Sequence, residues 1–393
     1  MLGALIGLGA LAAGSPAGAR SFTDILGGGR VTRPIADALA QSIARSIPVP
    51  SVSPGFVYAF NPETGTFERE TAIQGQLLLE RPDVLGRRAW NLSVSYERVR
   101  LDTVDGKDLD HLSDNGLPII DARSRALFVI RRFAIDLLAN EVIGTMTYGL
   151  RDDLDVSVTL PLVYSRFRLD VDSRRFDPDF PEVDRHAARA SRFGVGDVFL
   201  RAKYLLRGDY PRLAAGLVLR LPAGDEKNFQ GTGDTDIVPL LYASTPPVSA
   251  ARSIRLQAYV NAGIGVNASD LGRSEGRYGV GLDCHVGDRF TAAAAVLGRN
   301  PFERQSPPGV FDLRRCSRRD ASGGRCVRAD GEELPAPFLG LRGGRPDFYD
   351  LSVGARVSLW RDRLLGFVDA ILPVNADGFR ADVIPLVGIE MTF

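Results

Sequence analysis

Two groups of residues have the types that catalysis or cation binding would use. His111 and Ser113 form a His-x-Ser motif, and Asn115 follows nearby. A hydrolase could use such a set to activate the serine hydroxyl. That chemistry needs the histidine and the serine side by side on one face of a strand. Here the triplet follows the acidic, turn-like residues 105–110, so we expect no enzyme.

The second group is the glycine- and aspartate-rich loop at residues 224–236. Its carboxylates and backbone carbonyls suit calcium, but their spacing matches no calcium loop, and the G-K-[ST] core of a phosphate loop is absent. A turn that joins two strands is the simpler interpretation. His186 lies in another predicted loop and His285 near a predicted turn, so the histidines form no cluster. We expect no metal and no other cofactor.

The cysteines are consistent with an oxidising compartment. Cys316 and Cys326 flank a short polar, Arg- and Gly-rich stretch, and a disulfide that closes this loop is a candidate. Cys284 lies alone among alternating apolar residues and is interpreted as a small hydrophobic side chain.

The C-terminal residues alternate between an apolar and a polar face. One face carries Val383, Pro385, Val387, Ile389, Met391 and Phe393, and the other carries Asp382, Gly388, Glu390 and Thr392. Alternation that runs to a terminal aromatic residue is typical of a strand between lipid and a barrel lumen. An edge strand of a soluble sandwich is the alternative. The barrel-assembly machinery recognises a final strand that ends in Phe. Phe393 is therefore the candidate assembly signal.

Composition excludes a helical membrane protein. The chain has 45% hydrophobic residues and a mean hydropathy of −0.03. No run reaches the roughly 18–20 apolar residues that a spanning helix needs. The 48 basic and 48 acidic residues balance, which gives no footprint of nucleic-acid binding. A barrel mixes apolar and polar positions along each strand, so a neutral average fits it.

Alternation predicts about twelve strands, with ten or fourteen as alternatives. They cover residues 88–102, 133–150, 155–169, 196–206, 212–221, 237–244, 254–266, 277–286, 289–298, 348–360, 364–374 and the terminal segment. Connections after even-numbered strands are short, and those after odd-numbered strands are mostly longer. This is the asymmetry of outer-membrane barrels, whose short turns are periplasmic. The predicted fold class is all-β, an antiparallel transmembrane β-barrel.

Two segments precede the predicted barrel at residues 88–393. Residues 1–19 have the features of a signal peptide: a short apolar run leads to the pattern Ala17-Gly18-Ala19, although basic residues are missing at its start. Residues 20–87 include a predicted short helix at 34–47 and several aromatic residues. Residues 20–87 could form either a periplasmic tail or a plug in the lumen, and their aromatic content favours the plug.

Several stretches of the predicted barrel resemble a known family. They are residues 148–158 (YGLRDDLDVSV), 194–204 (GVGDVFLRAKY), 219–225 and 231–236. They resemble the outer-membrane family labelled as a component of the phenol meta-degradation pathway, clearly over strands two to six. The resemblance implies a barrel related in role to transporters of long-chain fatty acids and aromatic hydrocarbons. It implies passive uptake of small, hydrophobic molecules and names no binding residue.

The alternation also assigns charged residues to the lumen. These are Glu97, Asp197, Arg201, Lys203, Arg220, Arg255, Asp283, Arg356, Asp369 and Glu390. Charges of both signs are interleaved. In a wide lumen they would set ion selectivity, and in a narrow one they would pair and fill the interior.

The sequence therefore predicts a passive channel or transporter for small, hydrophobic or aromatic solutes in the cell outer membrane. Its expected partners are the solute, outer-membrane lipid, lipopolysaccharide and the barrel-assembly machinery. A structural or surface-adhesive barrel that uses its long extracellular loops is one alternative. An outer-membrane lipid-modifying enzyme is the other.

Overall fold

The structure is a computed structural model. It describes residues 20–28, 58–61, 66–69, 79–112, 118–120, 127–176, 182–287, 289–302, 309–312, 318–319, 326–327, 335–337, 346–360 and 363–393. The predicted signal peptide, the predicted helix at 34–47 and Cys316 of the predicted disulfide lie outside these residues.

Twelve antiparallel strands close into a barrel. They are β1 (Trp90–Leu101), β2 (Leu127–Arg151), β3 (Leu154–Phe176), β4 in two parts (Glu182–Val195 and Val198–Arg207), β5 (Arg212–Leu221), β6 (Asp236–Ser244), β7 (Ile254–Asn267), β8 (Glu275–Val286), β9 (Phe290–Pro301), β10 (Phe348–Trp360), β11 (Leu364–Pro373) and β12 (Ile384–Thr392). Each strand pairs with the next in sequence, and β12 pairs with β1, where Leu386 lies opposite Glu97. The prediction of a twelve-stranded antiparallel barrel is confirmed.

One predicted loop is instead part of the barrel wall. The first part of β4 pairs with residues 162–175 of β3. The second part of β4 pairs with residues 154–159 of β3. His186 therefore lies on a strand and not in a loop. The sequence of this part, which is rich in Arg and Ala, lacks the apolar alternation that marks the other strands. The segment was predicted as a loop for that reason.

The strands next to this part are also longer than predicted. β2 has 25 residues and β3 has 23, whereas a strand that crosses the membrane needs about 9–11. Together with β4 they continue past the membrane on the rim that carries the longer connections.

The outer face of the barrel is an apolar belt. Leu200 is 40% exposed, Val353 is 47% exposed and Leu241 is 61% exposed, and their neighbours along each strand point inward. A closed barrel has no free edge, so every strand satisfies its backbone hydrogen bonds within the wall. Exposed apolar side chains outside and polar ones inside are the pattern of a barrel in the outer membrane. The chain has this architecture and this location.

An apolar cluster fills part of the barrel interior toward the long-connection rim. It joins inward side chains of β1, β2 and β3, such as Val99, Phe133 and Phe167, to residues of the connections that fold inward. Leu109 comes from the β1–β2 connection and Phe379 from the β11–β12 connection. The outer half of the lumen is thus packed with apolar side chains on this side.

The remaining elements are short. They are the helix α1 (Phe22–Gly27), the 3₁₀ turns Glu226–Asn228 and Leu271–Arg273, and the short strands Tyr58–Asn61, Thr66–Arg69, Thr103–Val104, Lys107–Asp108, Pro118–Ile120, Val248–Ala251, Gly309–Asp312, Arg318–Arg319, Cys326–Val327, Pro335–Pro337 and Phe379–Arg380. Within the described part of the chain, no helix is long and apolar enough to cross a membrane.

Candidate functional site

The residues just before β1 are tied to the inner wall of the barrel by ion pairs. Glu80 binds Arg201 of β4, with 2.7 Å between Oε1 and Nη1, and Asp83 binds Arg212 of β5. Both arginines point inward from their strands. The segment formed by residues 79–86, here called the inner segment, therefore lies against the lumen wall near the short-turn rim.

Backbone contacts hold the inner segment as well. Lys203 Nζ donates a hydrogen bond to the carbonyl oxygen of Arg81 at 3.1 Å. The amide of Leu85 donates to Asp155 Oδ2 at 2.8 Å. Charged side chains of β3 and β4 thus satisfy polar backbone groups that are buried in the lumen and would be costly without partners.

Arg81 is the centre of these contacts. It is 1% exposed, its Nη2 donates to the hydroxyl of Tyr259 at 3.3 Å, and Asp83 lies 3.7 Å from its Nε. Burial alone would lower the pKa of Arg81, but Tyr259, Asp83 and Asp283 together raise it above its ordinary value. The guanidinium is therefore charged at neutral pH, and the surrounding carboxylates compensate that charge.

Two glycines leave the space that the inner segment occupies. A Cβ at Gly149 would lie 1.7 Å from the carbonyl oxygen of Gly86, and a Cβ at Gly279 would lie 2.4 Å from Leu79 Cδ2. Larger residues at these inward positions would push the segment away from the wall.

The helix α1 contacts the same interior at its other end. Ser21 and Asp24 form a capping box, and Phe22 stacks on Phe167 of β3 with 5.4 Å between ring centroids. Phe22 also packs against Phe229 of the β5–β6 connection. Nε2 of His186 lies 3.1 Å from the carbonyl oxygen of Ile25. Residues 20–28 and 79–86 are thus both bound to inward side chains, and the domain assignment for 20–87 as a whole stays a prediction.

All ten residues assigned to the lumen from sequence lie on the inner side of the wall. Several have partners there. Arg220 Nε donates to Asp197 Oδ2 at 2.7 Å, and Asp369 accepts a hydrogen bond from Ser352 at 2.8 Å. Glu390 accepts one from Asn91 at 2.7 Å. These side chains form paired networks, and their role in conduction stays a prediction.

Three buried carboxylates lie in one row of the wall. Glu97 of β1 is directly opposite Glu141 of β2 and Leu386 of β12, and Leu386 is opposite Asp369 of β11. Oε1 of Glu97 has no hydrogen-bond partner among the described residues. Glu141 was not predicted as a lumen charge, although it occupies one of the alternate positions of β2 that face inward.

A second group on the wall, here called the arginine wall, was also missed. It consists of Arg277, Arg299 and Arg380, from β8, β9 and the β11–β12 connection. Arg277 and Arg299 are cross-strand neighbours that share Glu275, at 2.6 Å and 3.8 Å. Arg277 has the inward parity of Asp283 on the same strand, so alternation could have found it. Arg299 lies one residue beyond the predicted end of its strand.

The third member of the arginine wall is held from the next strand. Arg380 binds Asp350 of β10 at 2.8 Å. The guanidinium carbons of Arg299 and Arg380 lie 4.5 Å and 4.7 Å from the ring centre of Phe348. Cation–π contacts of this kind fix the arginines in place.

The arginine wall borders a cavity of about 200 Å³ inside the barrel. Its lining combines these guanidiniums and Arg201 with apolar side chains from strands around the barrel, among them Leu101, Leu240 and Ile371. Leu79 and Glu80 of the inner segment close one side of it. The cavity therefore has a charged side and an apolar side within the lumen.

Of the groups considered for chemistry, the structure describes His111 and the loop at 224–236. The His111 side chain is 78% exposed in the β1–β2 connection and lies 3.7 Å from Asp108, while Ser113 and Asn115 lie outside the described residues. The loop at 224–236 is tied to the wall by Asp197, which lies between the two parts of β4. Asp197 accepts hydrogen bonds from the backbone amides of Gly224 and Thr232.

The metal and disulfide candidates lie partly outside the described residues. Within the described ranges, no group of three His, Cys, Asp or Glu residues could hold a metal ion. Cys284 is a free thiol on the outer side of β8. Cys326 lies in a short strand next to residues that the structure does not describe, so its predicted disulfide with Cys316 stays a prediction.

Comparison with known proteins assigns the chain to no family. No protein-family profile matches the chain, and no curated protein sequence matches it. Among solved structures, the COG4313 outer membrane channel from Pseudomonas putida F1 is similar, with 14% identity and a TM-score of 0.45 over 79% of this chain and 97% of that one. A Pseudomonas aeruginosa FadL homologue has 12% identity and a TM-score of 0.33 over 78% and 90%. The Ralstonia pickettii toluene transporter TbuX has 8% identity and a TM-score of 0.31 over 78% and 90%.

Proposed function

We propose that the chain is a passive outer-membrane channel for small solutes, with hydrophobic or aromatic molecules as the solute class. The observation that carries the proposal is a cavity of about 200 Å³ inside a closed barrel, lined by both charged and apolar side chains. A barrel with a purely structural role needs no such lined space. The resemblance to the phenol meta-degradation family supports the same class of solute.

We also propose that residues 20–87 are a plug that narrows the path. The ion pairs of Glu80 and Asp83 with the wall support this, as does the packing of Phe22 against Phe167. Residues 1–19 are proposed to be the export signal. Lipid, lipopolysaccharide and the barrel-assembly machinery are proposed partners of the mature barrel.

A structural or adhesive barrel is the second candidate. Its support is the pairing between connections on the long-connection rim: Gly309–Asp312, from the β9–β10 connection, pairs with Pro118–Ile120, from the β1–β2 connection. Such a surface layer could bind a partner without any solute passing through the lumen.

Liposome swelling separates the two candidates. The full chain, folded into liposomes, is expected to let arabinose enter and to swell them faster than heat-unfolded protein does. Arabinose is a suitable probe because it is small and does not cross lipid readily. Swelling equal to that of the heat-unfolded control would contradict the channel and favour the structural barrel.

A further inference from the structure

We propose that a group of exposed arginines on the outer face of the barrel binds the phosphate groups of lipopolysaccharide. The group consists of Arg166 and Arg168 of β3 and Arg189 of β4, and is here called the outer-rim patch. This inference rests on the proposed function, because it names the site at which one proposed partner, lipopolysaccharide, is bound. The depth of the patch in the wall, its charge and its exposure support this site.

The outer-rim patch lies where the apolar belt of the barrel ends. Toward the long-connection rim, the outward residues of β3 are in order Leu162, Tyr164, Arg166 and Arg168. Tyr164 is 42% exposed and lies directly opposite Phe193 of β4, which is 57% exposed. Exposed aromatic side chains mark the boundary between acyl chains and headgroups. The next outward positions are therefore at the depth of the lipid phosphates, and long connections are extracellular, so these phosphates belong to the outer leaflet.

Like charges face each other within the patch. Arg168 lies directly opposite Arg189, and Arg166 is the preceding outward residue of β3. Like charges at opposite positions of a strand pair are destabilising. Neither Arg168 nor Arg189 forms an ion pair with a described residue. A phosphate bound between the two guanidiniums would supply the missing negative charge, and the planar fork of a guanidinium matches phosphate oxygens.

Two carboxylates face the patch and do not neutralise it. Asp136 of β2 lies opposite Arg168, but it binds Arg166 at 3.3 Å and Arg100 of β1 at 3.6 Å. The Arg166 side chain stays 50% exposed in this pair. Asp170 is the outward residue of β3 after Arg168, farther from the aromatic boundary. The patch thus sets three guanidiniums against two carboxylates, one of which is shared with another arginine.

The charges that flank the patch do not reverse this excess. On the side of β1, two arginines meet two carboxylates, namely Arg98, Arg100, Asp102 and Asp110. On the side away from the membrane, two arginines meet one carboxylate in the row Arg132, Asp172 and Arg185. Among the described side chains of this face, arginines therefore outnumber aspartates, which matches a polyanionic headgroup.

Native mass spectrometry of the folded full chain in detergent tests the site with lipid A, the phosphorylated glycolipid that anchors lipopolysaccharide. Phosphorylated lipid A is expected to bind about tenfold more tightly than dephosphorylated lipid A, the factor that loss of one charge-assisted hydrogen bond produces. The double variant Arg168→Gln with Arg189→Gln should bind both forms equally. Both substituted side chains are exposed, and heat-modifiable migration checks that the variant is folded.

The matched control is Arg151→Gln. Arg151 ends β2 at the short-turn rim, and its side chain is 62% exposed. It has the same charge as the patch arginines but lies at the opposite side of the membrane. The preference of Arg151→Gln for phosphorylated lipid A should equal that of the unmodified chain.

Two further probes separate lipopolysaccharide from other sources of phosphate. Phosphatidylglycerol should bind more weakly than lipid A, because its phosphodiester carries a single charge. Inorganic phosphate should not displace lipid A, because it has no acyl chains to contact Tyr164 and Phe193. Equal binding of phosphatidylglycerol, or displacement by inorganic phosphate, would overturn lipopolysaccharide as the ligand.

The remaining outcomes distinguish the site from the proposed function. Equal binding of the two forms of lipid A by the unmodified chain would overturn the inference. An unchanged preference in the double variant, or the same loss in Arg151→Gln, would leave lipopolysaccharide as a partner and overturn the outer-rim patch as its site. Arabinose entry into liposomes tests the channel separately, so a chain that binds no lipid A but admits arabinose loses the partner and keeps the channel.

Discussion

At the scale of single residues, the side chains on the two faces of each strand have opposite requirements. An outward side chain such as Leu200 must be apolar because it contacts lipid. Its neighbour Arg201 points inward, where its side chain is 8% exposed and bound to Glu80. Removal of one partner from a buried ion pair leaves the other charge uncompensated and costs about 3–5 kcal/mol. Substitutions at both positions are therefore destabilising, for different reasons.

Leu200→Arg is expected to lower the free energy of unfolding by about 2–4 kcal/mol, the cost of an arginine that faces lipid near the middle of the membrane. Urea unfolding of the barrel in lipid vesicles measures this effect. Leu200→Ile is the control, since it keeps an apolar side chain of the same volume and should unfold near the unmodified midpoint. The same midpoint for Leu200→Arg and Leu200→Ile would show that this face does not contact lipid.

The side that each residue faces could be predicted from sequence, whereas its partners could not. Period-two alternation places Glu97, Arg356 and Glu390 inside because a strand offers only two faces. Glu80 binds Arg201 across 121 positions of sequence, and no local pattern encodes such a pairing. The cavity at the arginine wall depends on contacts of the same kind.

At the scale of elements, the closing pair of strands decides whether a barrel forms. The amide of Trp90 donates a hydrogen bond to the carbonyl oxygen of Phe393 at 2.7 Å. The amide of Phe393 donates one to the carbonyl oxygen of Trp90 at 2.9 Å. The side chain of Phe393 is 54% exposed on the outer face. Its ring is thus available to lipid and to the assembly machinery, while its backbone completes the wall.

Phe393→Asp is expected to reduce the amount of folded barrel in the outer membrane and to leave protein in the periplasm. The physical reason is that a charge replaces the apolar end of the lipid-facing side of β12. Heat-modifiable migration of the membrane fraction on gels measures folded barrel, and Phe393→Tyr is the aromatic control. Unmodified levels of folded Phe393→Asp protein would refute the assembly role.

Strands with clear alternation could be predicted as elements, and two kinds of segment could not. β12 and β1 were found because apolar residues occupy alternate positions along most of the outward face of each strand. The first part of β4, Glu182–Val195, was missed because it has arginines and alanines in place of large apolar side chains. The inner segment has no regular period at all, since ion pairs and glycines position it.

At the scale of the whole molecule, the barrel interior is divided. Apolar side chains around Phe22 and Phe167 fill part of the outer half, and the inner segment with its ion pairs occupies the half near the short turns. The cavity of about 200 Å³ lies between inward side chains and the inner segment. A solute path beside the inner segment is therefore narrow, and we propose that residues 20–87 set its width.

The single-channel conductance of the full chain and of a variant without residues 20–87, with residues 1–19 kept, tests this account most directly. In planar bilayers, we expect discrete openings for the full chain and a larger conductance for the truncated barrel, because the segment that narrows the path is gone. Heat-modifiable migration confirms that the truncated barrel is folded. A folded, truncated barrel that conducts no ions would contradict the account and indicate a structural or adhesive barrel.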